Sequence, residues 1–143
     1  MEDIVFAYHK CRILDEKNIH QKNSGFKVFC AKNLKNQNVL RDIVRKVDLI
    51  YGCEFHNYGD HGHQSNGGLD VVIVKEMKKY SVSYGICASD IMDYLIKGKL
   101  ILHRIKQNLL LLKKKKVPVI IFSGDELYSE EELLFLKHFF RHI

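Results

Sequence analysis

The sequence predicts an α/β domain built on a mostly parallel sheet of about five strands, and three observations point there. The first is residues 117–122, VPVIIF, almost wholly apolar and largely β-branched, the pattern of a strand covered on both faces. The second is the segment before it. Ile101, Leu102, Ile105, Leu109 and Leu112 fall within about 100° of one another at helical pitch and form one apolar stripe. Lys113, Lys114, Lys115 and Lys116 then suit the negative end of the helix dipole, and Pro118 disfavours helix for Val117. A helix that feeds such a strand is half of a βαβ unit. The third observation is that the same alternation recurs along the chain.

Residues 3–8, DIVFAY, open with a short apolar run that suits a first strand. Residues 9–24 are polar and read as one irregular helix. FKVFCA at 26–31 alternates with period two, a strand signal. Asn36 is placed to cap a helix running to Lys46, with Leu40, Ile43, Val44 and Val47 on one face. VDLIYGCEF, residues 47–55, is a third strand that runs on or bends at Gly52. Residues 56–68, with three histidines, four glycines and no aliphatic side chain, are a surface loop. Residues 69–80 then form a helix with Leu69, Val72, Ile73 and Met77 inward. VSYGICA at 82–88 is a strand, Ser89 and Asp90 offer caps for IMDYLI, and Gly98 separates that turn from the long helix. After the 117–122 strand, Ser129 with Glu131 and Glu132 opens a last helix whose buried stripe is Leu133, Leu136, Phe139 and Phe140. Strands that alternate with helices in this way make right-handed parallel crossovers. Eight such units close a barrel. This chain has fewer, which predicts an open or partial one.

At 143 residues the chain suits one domain, residues 1–143, with a real core. Its 46% apolar and 28% charged composition is globular. No stretch approaches the roughly 20 apolar residues of a membrane span, and the first ten residues lack the pattern of a signal peptide, so a cytoplasmic protein without membrane attachment is expected. Cys11, Cys30, Cys53 and Cys87 are scattered without a CxxC pair, which suits reduced, buried thiols. A net charge of +6 and a pI near 9.1 favour nucleic acid, anionic lipid or acidic proteins as partners.

The histidine loop has the most chemical look. His56, Asp60, His61 and His63 are plausible metal ligands, and a phosphoesterase-like metal site there is one function to weigh. One loop rarely converges three ligands, so contact of His61 and His63 with RNA is the preferred expectation. Gly67 and Gly68, opening a helix, suit a phosphate held by free backbone N–H groups. The run Lys113–Lys116 lies at the amino end of a parallel strand, away from the carboxyl ends where small-molecule sites gather. Diffuse contact with a phosphate backbone fits it better than a pocket. Leu100 and Leu111, flanked by Arg104, lie well off the apolar stripe of the long helix, which predicts a partner-facing patch.

Some of these residues also carry a family resemblance. Arg104, Asn108, Leu109 and Leu111, then Val117-Pro118-Val119-Ile120-Ile121 and Ser123-Gly124, resemble the component-3 protein subunit of archaeal and eukaryotic ribonuclease P. Asn66-Gly67-Gly68-Leu69-Asp70 stands where that family carries a glycine turn before a helix. Val71 departs from a histidine and Asn66 from an aspartate common there, and the expected form is a minimal or truncated member. The resemblance implies a partial or shortened TIM-barrel-like fold, related to polymerase-and-histidinol-phosphatase domains but without their catalytic metals. It implies an accessory, RNA-binding role beside a catalytic ribonuclease P RNA and precursor tRNA. It also implies pairing with a component-2-like protein, with a homodimer of this chain or a heterotetramer as the expected assemblies, no cofactor on the protein, and magnesium on the RNA. The rivals from other classes are the metal-dependent phosphoesterase and a non-catalytic protein-interaction module.

Overall fold

Alternating side chains in four of six short parallel strands divide the apolar residues into two layers. The computed structural model describes residues 4–7, 12–14, 27–32, 34, 36–56, 66–97, 100–123 and 128–141. Its strands are β1 (Ile4–Ala7), β2 (Arg12–Leu14), β3 (Lys27–Cys30), β4 (Leu49–Tyr51), β5 (Ser83–Cys87) and β6 (Val119–Phe122). They form one sheet in the order β1-β6-β5-β4-β3-β2, every pair parallel. The helices are α1 (Asn38–Ile43), α2 (Val71–Lys79), α3 (Ala88–Lys97), α4 (Leu100–Lys114) and α5 (Glu130–Arg141).

From β2 to β6 each strand lies beside its predecessor, so successive crossovers keep one hand and place the helices on one face. The core bears this out. Phe29, Ile50, Tyr84, Ile86, Val119 and Ile121 pack with residues of all five helices, among them Leu40, Ile73, Ile91, Leu112 and Phe140. The alternate residues Val28, Leu49, Tyr51 and Cys87, with half-buried Cys30, Ile120 and Phe122, pack among themselves on the other face. That inner layer is tight: a Cβ on Gly85 would stand 2.7 Å from Leu49 Cδ2 and 2.8 Å from Phe122 Cε1. Any larger residue there would force Leu49 or Phe122 to shift. One helix-covered face and one inward, self-filling face are the layers of a β/α barrel rather than of a doubly wound sheet.

Chain length then sets the curvature. In a flat six-stranded sheet, β1 and β2 would lie about 24 Å apart. The five steps from Ala7 to Arg12 reach at most about 18 Å, and must also return along one strand length. The sheet must therefore curl, turning its outer strands toward each other as an open barrel.

The α/β class, the parallel sheet and every helix expected from Asn36 onward are present. The differences are local. The sheet has six strands because Arg12–Leu14, inside the stretch read as an irregular helix, pairs with β3. β4 stops at Tyr51; Gly52, at φ 82°, turns the chain into a 3-10 turn over Cys53–Phe55. In α2 the buried residue is Val74, whereas Val72 is 49% exposed. Ser129 caps α5 as expected, accepting from Glu132 N at 3.2 Å. No described helix is long and apolar enough to cross a membrane.

α2 and α4 end alike. Val82 N donates to Met77 O and Ser81 N to Lys78 O; Val117 N donates to Leu112 O and Lys116 N to Lys113 O. Both are Schellman closures, in which the left-handed position normally favours glycine. Here Ser81 (φ 56°) and Lys116 (φ 58°) occupy it. Lys116→Gly is therefore expected to raise stability by about 1 kcal/mol, since glycine has no Cβ to strain at that angle. Urea denaturation measures this; an unchanged or lower midpoint would contradict it.

Candidate functional site

In a parallel β/α fold the carboxyl ends of the strands are where chemistry is usually built. Here the chain leaving β3 brings Lys32, the turn after β4 brings Glu54 and Phe55, and the start of α3 brings Asp90. Lys32 forms an ion pair with Asp90, and its ammonium stands 5.9 Å from the ring centroids of both Tyr51 and Phe55. Asp90 thus serves the ion pair, and α3 follows β5 without the separate cap expected from the sequence. Burial pulls the Lys32 pKa down, but the hydrogen bond and charge of Asp90 outweigh it, so it lies above the ordinary value. The Cys87 thiol, next to Ser89 Oγ at 3.3 Å, is pushed up to about 11, chiefly by burial. It is a neutral thiol at physiological pH, not a ready nucleophile.

Glu54 lies one layer out, between sheet and helices, and is 1% exposed. The Tyr84 hydroxyl donates to its carboxylate, and Arg104 Nη1 donates to its backbone carbonyl at 3.0 Å. Burial raises its pKa to about 7 against the opposing hydrogen bonds of Tyr84 and the backbone. A carboxyl titrating near neutrality suits acid–base chemistry. This one is sealed from solvent, and its contacts tie the turn after β4 to β5 and α4. It is an architectural group.

The glycine turn is architectural too. Asn108 Nδ2, on α4, donates to Gly67 O at 2.6 Å. Gly67 N donates to Gln107 Oε1 at 3.0 Å, and Gly68 N to Asn66 Oδ1 at 3.0 Å. Both glycines are buried, and these bonds take the N–H groups expected to hold a phosphate. Asp70 caps α2 by accepting from Ile73 N at 2.7 Å.

His56 is buried, with Nε2 donating to Asn66 O at 2.5 Å. Asp60, His61 and His63 lie outside the described residues, so the metal-ligand and RNA-contact expectations for that loop fall there. Among the described residues, no group of three His, Cys, Asp or Glu side chains is placed to hold a metal. Cys30, Cys53 and Cys87 are free.

The expected partner patch on α4 is redistributed. Arg104 turns inward onto Glu54, and Leu111 is half-buried against the main core. Leu110 is the exposed leucine, at 60%. The side chain of Leu100 is outside those described. Lys113, Lys114 and Lys116 are exposed and Lys115 half-buried, at the amino end of β6 as expected. Sequence reasoning missed Lys32, Glu54 and Tyr84, and the ion pair that Asp90 forms with Lys32. Each follows or sits inside an apolar strand, and position just past a strand's end was the one available signal. No family model matches the chain, and comparison with curated proteins finds no match.

Proposed function

We propose that this chain is an RNA-binding accessory subunit of ribonuclease P, of the component-3 kind. The observation that carries this is a meeting of two segments about 40 residues apart. Two of the stretches that carry the resemblance, the glycine turn at Gly67-Gly68 and Arg104 with Asn108, belong to one clamp: Asn108 and the adjacent Gln107 hold Gly67, while Arg104 holds the carbonyl of Glu54. A chain that keeps these residues keeps the joint between the glycine turn and the long helix. The partial β/α barrel and the net charge of +6 support the same reading.

In this role the protein supplies positive charge and a docking surface. The catalytic RNA, with its own magnesium, removes the 5′ leader from precursor tRNA. A component-2-like protein pairs with the chain, two copies of each forming a heterotetramer or two copies of this chain alone a homodimer, and α4 offers Leu110 and neighbouring residues to the contact.

The test is reconstitution. Purified protein with magnesium should leave precursor tRNA intact. Added to a ribonuclease P RNA and a component-2-like subunit, it should increase leader removal. Magnesium- or manganese-dependent cleavage by the protein alone, abolished by His61→Ala with His63→Ala, would assign it to the phosphoesterases instead.

A further inference from the structure

The lysines that end α4 are one part of a larger surface. Each helix that leads into a central strand ends in cations: Arg45 and Lys46 before β4, Lys78 and Lys79 before β5, and Lys113 to Lys116 before β6. β4, β5 and β6 are adjacent in the sheet, so the three groups stand side by side at its amino end. Lys78 Nζ donates to Lys116 O at 3.1 Å, joining two of them directly. The acidic residues nearby are few and placed. Glu76 pairs with Arg45 at 3.9 Å, and Asp48 accepts from Lys27 N at 2.8 Å.

An aromatic ring stands among these cations. Tyr80, closing α2, is 39% exposed. The Lys79 ammonium lies 5.4 Å from its ring centroid and the Arg45 guanidinium 5.8 Å. Aromatic rings framed by cations are the pairing that single-stranded nucleic acid uses, bases on the ring and phosphates on the charges. A lipid surface would ask for a cluster of apolar anchors beside the lysines, yet Val82, Leu112 and Val117 at these junctions are buried and Leu110, one turn before Lys113, is the exposed leucine of α4. A duplex would offer phosphates but keep its bases from the ring.

We propose that the amino-end pole of the sheet binds single-stranded RNA, with Tyr80 stacking on one unpaired base and the surrounding lysines on flanking phosphates. This rests on the RNA-binding role proposed above and assigns it a face, a ligand form and a stacking residue. It also accounts for Lys116 in the left-handed position where glycine would be less strained: the lysine keeps a charge at the pole.

The experiment titrates labelled oligoadenylate, an RNA duplex and anionic phosphatidylserine vesicles with the full chain. Its variants are Tyr80→Ala, Tyr80→Phe, and Lys113→Gln with Lys114→Gln and Lys116→Gln. Circular dichroism confirms that each is folded. Tyr80→Ala should weaken oligoadenylate binding by roughly 5- to 150-fold, the cost of one missing stack, with its salt dependence unchanged. Tyr80→Phe should retain affinity, and duplex binding should be indifferent to either change. The triple lysine variant should flatten the log–log salt slope by about 0.7 for each phosphate no longer neutralised. Wild-type-like affinity in Tyr80→Ala, equal losses on the duplex, or binding to vesicles in place of RNA would overturn the pole. If the wild type binds RNA and no variant changes it, the pole is wrong and the RNA-binding role stands. If the wild type binds no RNA, that role falls as well.

Discussion

Replacing Gly68 with alanine is expected to cost about 3 kcal/mol or more, a large share of the roughly 5–15 kcal/mol that holds a domain of this kind together. Two effects add. Gly68 has φ 92°, where an L side chain is strained. A Cβ there would also stand 2.2 Å from Cys53 O and 2.8 Å from Cys53 C, backbone atoms that cannot swing away. The displaced turn would carry Gly67 with it and loosen the bonds from Asn108 and Gln107. Urea denaturation should show a midpoint far below wild type, or no folded baseline. As a control, Val72→Ala on the exposed face of α2 should stay within about 0.5 kcal/mol. A Gly68→Ala protein as stable as wild type would mean that the glycine turn and the 3-10 turn after β4 do not pack as described.

Glu54 gives the second large effect, and it depends on pH. Its ordinary pKa is 4.5 and burial raises it to about 7. In that interval the folded protein binds a proton that the unfolded chain releases. Stability is therefore greatest with the carboxyl protonated and falls as pH rises from about 4.5 to 7. A shift of this size corresponds to roughly 3 kcal/mol. Glu54→Gln keeps an acceptor for the Tyr84 hydroxyl and removes the titration. The variant should therefore match wild type near the acid end and exceed its stability above neutrality by about 2–3 kcal/mol. Comparing the two proteins at each pH cancels the other titrating groups, including the eight histidines. A constant difference across the range would show that folding leaves the Glu54 pKa unshifted, against the raised value.

Much of the fold was legible because apolar periodicity reports burial directly. Ile101, Ile105, Leu109 and Leu112 are buried as the stripe of α4 requires, and Leu133, Leu136 and Phe140 as the stripe of α5 requires. What escaped depended on partners distant in sequence. Arg12–Leu14 is a strand because β3 offers an edge, and nothing in its polar surroundings announces that. Val72 and Val74 are chemically alike, so periodicity alone did not separate the exposed one from the buried one in so short a helix. The candidate site shows the same limit. The lysine run stood out as composition, and its place at the amino end of β6 followed from strand order. Tyr80, Glu54 and Asp90 look ordinary in sequence and acquire their roles through Arg45 and Lys79, Tyr84, and Lys32 respectively. The glycine turn drew notice as a phosphate loop, whereas Asn108 and Gln107, about 40 residues on, make it a structural joint.

The most direct measurement for the central claim is capture of the tagged full chain from its own cells, followed by sequencing of the bound RNA and mass spectrometry of the bound protein. The account predicts strong enrichment of one structured RNA that cleaves precursor tRNA in magnesium, together with a component-2-like protein. It further predicts loss of the RNA when Lys113, Lys114 and Lys116 are changed to Gln with Tyr80→Ala. Capture of the chain with no enriched RNA would contradict it.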